Sequence, residues 1–145
     1  MSAVSVSRDG LQAGGMERIE AGMLEKQLRV VVATPLPESL CEQIEAALPR
    51  IHLVRDQSLL PPERWAADFS GDPTFRRTAE QQSAFEQLID SADVLYGIPD
   101  AKPTALTRAV RANPGLKWVQ IMAAGGGAQV KKACLSAEEL SRVIF

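Results

Sequence analysis

Residues 29–55, RVVVATPLPESLCEQIEAALPRIHLVR, decide the fold. Val30, Val31, Val32 and Ala33 form a continuous apolar run with no polar alternation, the pattern of a strand covered on both faces. Pro35 and Pro37 then lead into a helix through about Leu48. Within it Leu40, Ile44, Ala47 and Leu48 recur at i, i+4, i+7 and i+8, which predicts the buried face. Pro49 stops the helix and Ile51 to Arg55 reads as a second strand. A strand, a helical crossover and another strand make a β-α-β unit, and such units build parallel sheets.

Downstream the alternation continues. Residues 56–74 carry Pro61, Pro62, Gly71 and Pro73, too many breakers for regular structure, although Trp65 and Phe69 at i and i+4 suggest one buried turn. A helix is expected from about Thr78 to Ser91 on the repeat of Phe85, Leu88, Ile89 and Ala92. A short strand, Asp93 to Tyr96, ends at Gly97-Ile98-Pro99. Thr104 to Ala112 reads as a helix burying Leu106, Ala109 and Val110, stopped by Asn113-Pro114-Gly115. Lys117 to Met122 is the fourth strand, Gln129 to Cys134 a helical turn or two, and Ser136 with Glu139 a capping box for another short helix. A fifth strand is expected to start at Arg142. The expected fold is α/β: a flavodoxin-like doubly wound parallel sheet of about five strands in the order 2-1-3-4-5. Residues 1–27, with four scattered glycines and no sustained periodicity, read as a flexible N-terminal extension, leaving 28–145 as the domain. A strand begun at Arg142 and unfinished at Phe145 reads as a chain cut from something larger.

Composition narrows the function classes. Hydrophobic residues make up 46% of the 145 and charged residues 23%, a globular balance with room for one core. A net charge of −2 with dispersed Lys and Arg offers no phosphate-neutralising stripe, which argues against nucleic acid. The longest apolar runs are about five residues against the ~20 that span a bilayer, so no membrane partner and a cytoplasmic location are expected. Cys41 and Cys134 lie far apart and read as free thiols. His52, the single histidine, falls in an apolar run and reads as a structural imidazole.

Ligands of open parallel sheets bind beyond the carboxyl ends of the strands, so three loops are candidates. These are Thr34-Pro35, Tyr96-Gly97-Ile98-Pro99 and Ala123-Ala124-Gly125-Gly126-Gly127. The last is the sharpest, because consecutive glycines let backbone N–H groups approach a carboxylate or phosphate. The competing reading of the same glycines is a tight turn that demands positive φ. A dinucleotide fingerprint fails there, since G-x-G-x-x-G would need glycine where Val130 stands. A G-x-S-x-G elbow is absent, and the carboxylates, Glu38, Glu42 and Glu45 for example, fall along helices as solvated faces.

The succession Ala-Asp-Val-Leu-Tyr-Gly-Ile-Pro at 92–99, Asn-Pro-Gly-Leu-Lys-Trp-Val-Gln at 113–120 and Ala-Ala-Gly at 123–125 resembles the N-terminal substrate domain of D-isomer-specific 2-hydroxyacid dehydrogenases. With the first strand and its helix the resemblance covers about residues 29–145. It implies that Ala124 and Gly125 belong to the loop whose amides bind the substrate carboxylate, and that Tyr96 and Gly97 line the same cleft. It implies an NAD(P)-dependent oxidoreductase acting on a small 2-keto or 2-hydroxy acid. Its catalytic arginine, glutamate and histidine and its NAD- or NADP-binding Rossmann domain would all lie beyond Phe145. The chain alone would then bind no cofactor and be inactive, with self-association through its uncovered surface. Many members carry an aliphatic residue and an acid after small-small-Gly, where this chain has Gly126 and Gly127. The alternative is a stand-alone α/β binding or interaction module, including a small-anion sensor built on the triple glycine.

Overall fold

The computed structural model describes residues 27–145, so the expected extension lies outside the described residues except for Gln27. The elements run β1 (Leu28–Val32), α1 (Glu38–Ala47), β2 (Ile51–Val54), α2 (Ala79–Asp90), β3 (Val94–Tyr96), α3 (Pro103–Ala112), β4 (Trp118–Gln120), α4 (Gly126–Lys132) and α5 (Ala137–Arg142). Two 3-10 turns, Gln57–Leu59 and Pro99–Ala101, follow β2 and β3. The four strands form one parallel sheet in the order β2-β1-β3-β4, a flavodoxin-like arrangement.

Register sorts the side chains. Val31, Leu95 and Val119 pair across the sheet and are each 0% exposed, while their neighbours Val32, Tyr96 and Gln120 point to the other face. Right-handed crossovers place α1 on one face and α2 and α3 on the opposite one, because β1 to β2 and β3 to β4 step in opposite directions. Leu106, Ala109 and Val110 of α3 and Phe85 and Ile89 of α2 are buried at the expected positions. Thr78 with Gln81 and Ser136 with Glu139 make complete capping boxes at the starts of α2 and α5. The Asn113-Pro114-Gly115 stop is built by a buried amide: Asn113 Nδ2 donates to the Ile89 and Ala92 carbonyls, and its Oδ1 accepts from Gly115 N–H. One side chain thereby joins the ends of α2 and α3 to the start of β4.

Four expectations are corrected. The fifth strand does not begin at Arg142, which ends α5; its guanidinium donates to the Val110, Asn113 and Pro114 carbonyls, satisfying the open end of α3. Only Ile144 reaches the sheet, as a single parallel bridge to Trp118, so the fifth position is occupied by one residue. The predicted buried face of α1 is also rotated: Cys41 is its buried residue, Ile44 is half-buried, and Leu40 and Leu48 are 43% and 51% exposed. Arg55, after the end of β2, pairs with Glu38 and Glu45 of the helix. His52 is exposed, because β2 is the sheet edge and its outward residues meet solvent. Finally, Trp65 is 59% exposed rather than part of a buried turn; the residue that organises that turn is Asp68.

Asp68 is 4% exposed and accepts from the Arg64 backbone N–H, from Arg64 Nε at 2.7 Å and Nη2 at 3.0 Å, and from Gly71 N–H at 3.1 Å. The Arg64 guanidinium holds its carboxyl well below the usual carboxylate range, outweighing the cost of desolvation, with the backbone donors adding to the effect. An unfolded aspartate titrates near 3.9, so the contribution of this clasp is complete above about pH 4 and fades as pH falls toward the lower folded value. Asp68→Asn is therefore expected to flatten the acid limb of stability against pH below about 4 while changing its slope little near neutrality. Urea melts of the two proteins with equal acid slopes would show that the clasp is not coupled to folding.

Candidate functional site

The loops after β1, β3 and β4 meet at the carboxyl rim, and the contacts among them are specific. Gly97 has φ +93°, and a Cβ placed there would lie 2.3 Å from Thr34 Cγ2 and Oγ1. Only glycine lets the two loops touch so closely. Thr34 is 2% exposed and its hydroxyl donates to the Tyr96 carbonyl at 3.4 Å.

Next comes a strained wall. Asp100 and Ala101 follow β3 with φ 54° and 50°, left-handed values that cost non-glycine residues free energy. Two side chains hold them. Arg77 binds the Asp100 carboxylate with both Nη atoms, at 3.1 and 2.9 Å, donates Nε–H to the Leu59 carbonyl at 2.6 Å, and lies 3.7 Å from the Phe85 ring centroid. Gln129 Nε2 of α4 donates to the Ala101 carbonyl at 3.1 Å. The segment after β2, the loop after β3 and the helix after β4 are thus tied into one rim.

The bend from Ile121 to Gly127 completes it. Gly126 is buried, and an added Cβ would fall 1.8 Å from Ile121 Cγ2, so this glycine is required by packing. Gly125 and Gly127 are exposed with open space where a Cβ would stand, and none of the three has positive φ. The turn expected at the glycines is present, with Ala124 and Gly125 in turn conformation, but it does not demand positive φ. The helix also begins earlier than expected, at Gly126 rather than Gln129. Gly126 N–H donates to the Ala123 carbonyl and Ala128 N–H to that of Gly125. Among the described residues, the exposed amides of Ala124, Gly125 and Gly127 donate to no backbone carbonyl.

Beside this bend lies a cleft of about 210 Å³. Its walls are Thr34, Ile98 and Ala101, the Ile121–Met122–Ala123 stretch with Gln129, and the segment from Trp65 to Ser70. The four residues expected at the site are close to it but do not line it. Ala124 and Gly125 continue from Ala123, and Gly97 is the residue before Ile98. Tyr96 turns its side chain toward α1, where burial first and then the neighbouring Cys41 and Glu63 push its phenol up. A larger cleft of about 640 Å³ opens on the far side of the Asp68 turn, and its arginines are engaged: Arg64 with Asp68, Arg77 with Asp100 and Arg76 with the Pro73 and Phe75 carbonyls.

Sequence reading missed the Trp65–Ser70 wall, the Asp68 clasp and Gln129. A signal existed for the first two, since Pro61-Pro62 and Gly71-Asp72-Pro73 bracket a segment that turns on itself, and long ordered loops carry function more often than the elements they join. Val130, where a dinucleotide fingerprint would need glycine, is half-buried against the core. No helix among the described residues is long and apolar enough to cross a membrane. No family model, curated protein or solved structure significantly matches this chain.

Proposed function

We propose that this chain is the substrate domain of an NAD(P)-dependent D-2-hydroxyacid dehydrogenase, holding a 2-keto or 2-hydroxy acid at its rim while another part of the enzyme holds the nucleotide. One observation carries the proposal: the bend after β4 lies at the carboxyl rim with unengaged amides at Ala124 and Gly125, next to a ligand-sized cleft. Oriented N–H donors that need no reorganisation are suited to a carboxylate, and they fix the acid without a charged side chain. Tyr96 and Gly97 act indirectly in this reading. Their backbone sets the β1–β3 approach on which the cleft stands.

Amide NMR of the full chain tests the proposal. Oxalate, a small dicarboxylate that mimics the acid head, is expected to shift Ala124, Gly125 and Gly127 more than any other group of amides. Mixing the chain with NADH and 2-keto acids is expected to leave the nicotinamide absorbance unchanged. Turnover by the chain alone, or amides at the bend that ignore oxalate, would contradict the assignment. The same unengaged amides favour a second reading, a stand-alone small-anion sensor. Phosphate separates the two, since a sensor built on general N–H donors would respond to it as strongly as to oxalate.

A further inference from the structure

The 640 Å³ cleft beyond the Asp68 turn carries an excess of positive charge in a chain whose net charge is −2. Arg64, Arg76, Arg77 and Lys102 line it, against the carboxylates of Asp72 and Asp100. Counting Asp68, which is paired with Arg64, still leaves one cation over. The ion pairs locate the excess. Arg64 is matched by Asp68 and Arg77 by Asp100, whereas neither Arg76 nor Lys102 belongs to an ion pair among the described residues. Asp72 accepts from Thr74 N–H at 2.8 Å and from Thr74 Oγ1 at 2.7 Å, and the Arg76 charge acts on it only from longer range.

The backbone holds Arg76 ready for an oxyanion. Its Nη1 donates to the Pro73 and Phe75 carbonyls, both at 2.7 Å. A guanidinium has N–H donors on all three nitrogens, so these bonds leave Nε and Nη2 without an acceptor among the described residues. Nε and Nη2 present two parallel N–H groups, the same edge with which Arg64 grips Asp68. A guanidinium tethered on one side with this edge open is partly ordered before an anion arrives, which removes some of the cost of binding.

Lys102 reaches the same cleft from the loop after β3. It directly follows Asp100 and Ala101, whose left-handed φ values of 54° and 50° lead the chain into α3. Strain of this kind clusters at ligand sites, where the surroundings over-determine it. Here Arg77 supplies the restraint, with 7% of its side chain exposed.

An isolated oxyanion would fill little of this space. A volume of 640 Å³ falls within the ~300–1,000 Å³ of small-molecule pockets, and Pro61 and Phe75 add apolar surface beside the cations. We propose that this cleft binds a phosphate monoester, its oxyanion on the open edge of Arg76 and on the Lys102 ammonium, its organic part against Pro61 and Phe75. Phosphate suits two cations better than a carboxylate does, since it brings up to two charges and three acceptor oxygens. The site does not depend on the acid-binding role given above to Ala124 and Gly125.

The test is an NMR titration of the full chain with ribose 5-phosphate, inorganic phosphate and ribose, read at the Arg76 Nε–H and at the amides of Phe75, Arg76 and Lys102. Ribose 5-phosphate is expected to move all four resonances in one saturable transition, and ribose to move none. Inorganic phosphate is expected to bind at least about threefold more weakly, because it leaves Pro61 and Phe75 uncovered. Arg76→Gln and Lys102→Gln are each expected to weaken ribose 5-phosphate about tenfold, and Arg76→Lys, which keeps the charge and loses the paired donors, about fivefold. Arg50→Gln removes one charge just before β2, at the opposite end of the sheet, and is expected to leave the affinity unchanged. All three side chains are exposed, so the variants keep the core intact. Equal weakening by Arg76→Gln and Arg50→Gln would reveal a diffuse attraction of charge and overturn the site. Inorganic phosphate binding as tightly as ribose 5-phosphate would overturn the monoester in favour of the free ion. Shifts confined to Ala124, Gly125 and Gly127, or no saturable shift at all, would remove the site and leave the response of the bend to oxalate as a separate question.

Discussion

Gly97→Ala is expected to cost at least about 3 kcal/mol, a large share of the ~5–15 kcal/mol that holds a domain folded. Two penalties combine. The backbone at φ +93° is one that L side chains rarely adopt, and the new methyl would stand 2.3 Å from Thr34 Cγ2 and Oγ1 and 2.8 Å from Thr34 Cβ. Rotating Thr34 cannot relieve the contact with its own Cβ, so the backbones must separate. They are hydrogen-bonded where the strain would act, Ala33 N–H to the Tyr96 carbonyl and Gly97 N–H to the Gln120 carbonyl. Separation would therefore loosen β1, β3 and β4 together. Thermal melts should fall by about 10 °C or more. Thr34→Ala in the same chain should recover part of the loss, because it deletes the two nearest atoms and leaves the Cβ contact and the φ strain. A Gly97→Ala protein that melts within a degree or two of the parent would mean the β1–β3 approach is looser than described.

The second large effect is at Arg77. Its side chain is 7% exposed and its partner Asp100 24%, and the pair is bidentate. Arg77→Leu keeps much of the apolar stem against Phe85 but leaves Asp100 without its cation in a left-handed turn, and leaves the Leu59 carbonyl without its donor. Breaking a buried pair by removing one partner typically costs ~3–5 kcal/mol; the partial exposure of Asp100 lets water offset some of that, so about 3 kcal/mol is expected. Asp100→Gly removes the same ion pair and also relieves the φ 54° strain, so it should cost less than Arg77→Leu. Urea melts of the two variants check the order. If Asp100→Gly were the more damaging, the strain would not be a cost the ion pair sustains, and the account of a held wall would be wrong.

Much of the fold was legible because local signals agreed. The apolar run at 30–33, the short strand pattern at 117–122, the Phe85–Ile89 and Leu106–Val110 repeats, and the Ser136–Glu139 box each depend on residues a few positions apart, where spacing alone predicts geometry. The strand order followed from right-handed crossovers, which leave few topologies open. The candidate site was legible to the level of loops. Carboxyl-end loops after β1, β3 and β4 were expected, and those loops do converge. Which side chains form the walls was not, because Trp65 to Ser70 reaches the rim through an irregular segment whose path is set by Asp68, Arg64 and Gly71 rather than by any period.

By itself, then, the sequence determined the alternation of strands and helices and which faces of α2 and α3 are apolar, since both follow from short-range sterics and periodicity. Only the tertiary structure decided the roll of α1, the exposure of His52 and Trp65, the shrinking of the fifth strand to Ile144, and the joining of Arg77, Asp100 and Gln129 into one rim. The physical reason is that these depend on partners 17 to 32 residues apart, as Arg55 with Glu38 and Arg142 with Val110 show.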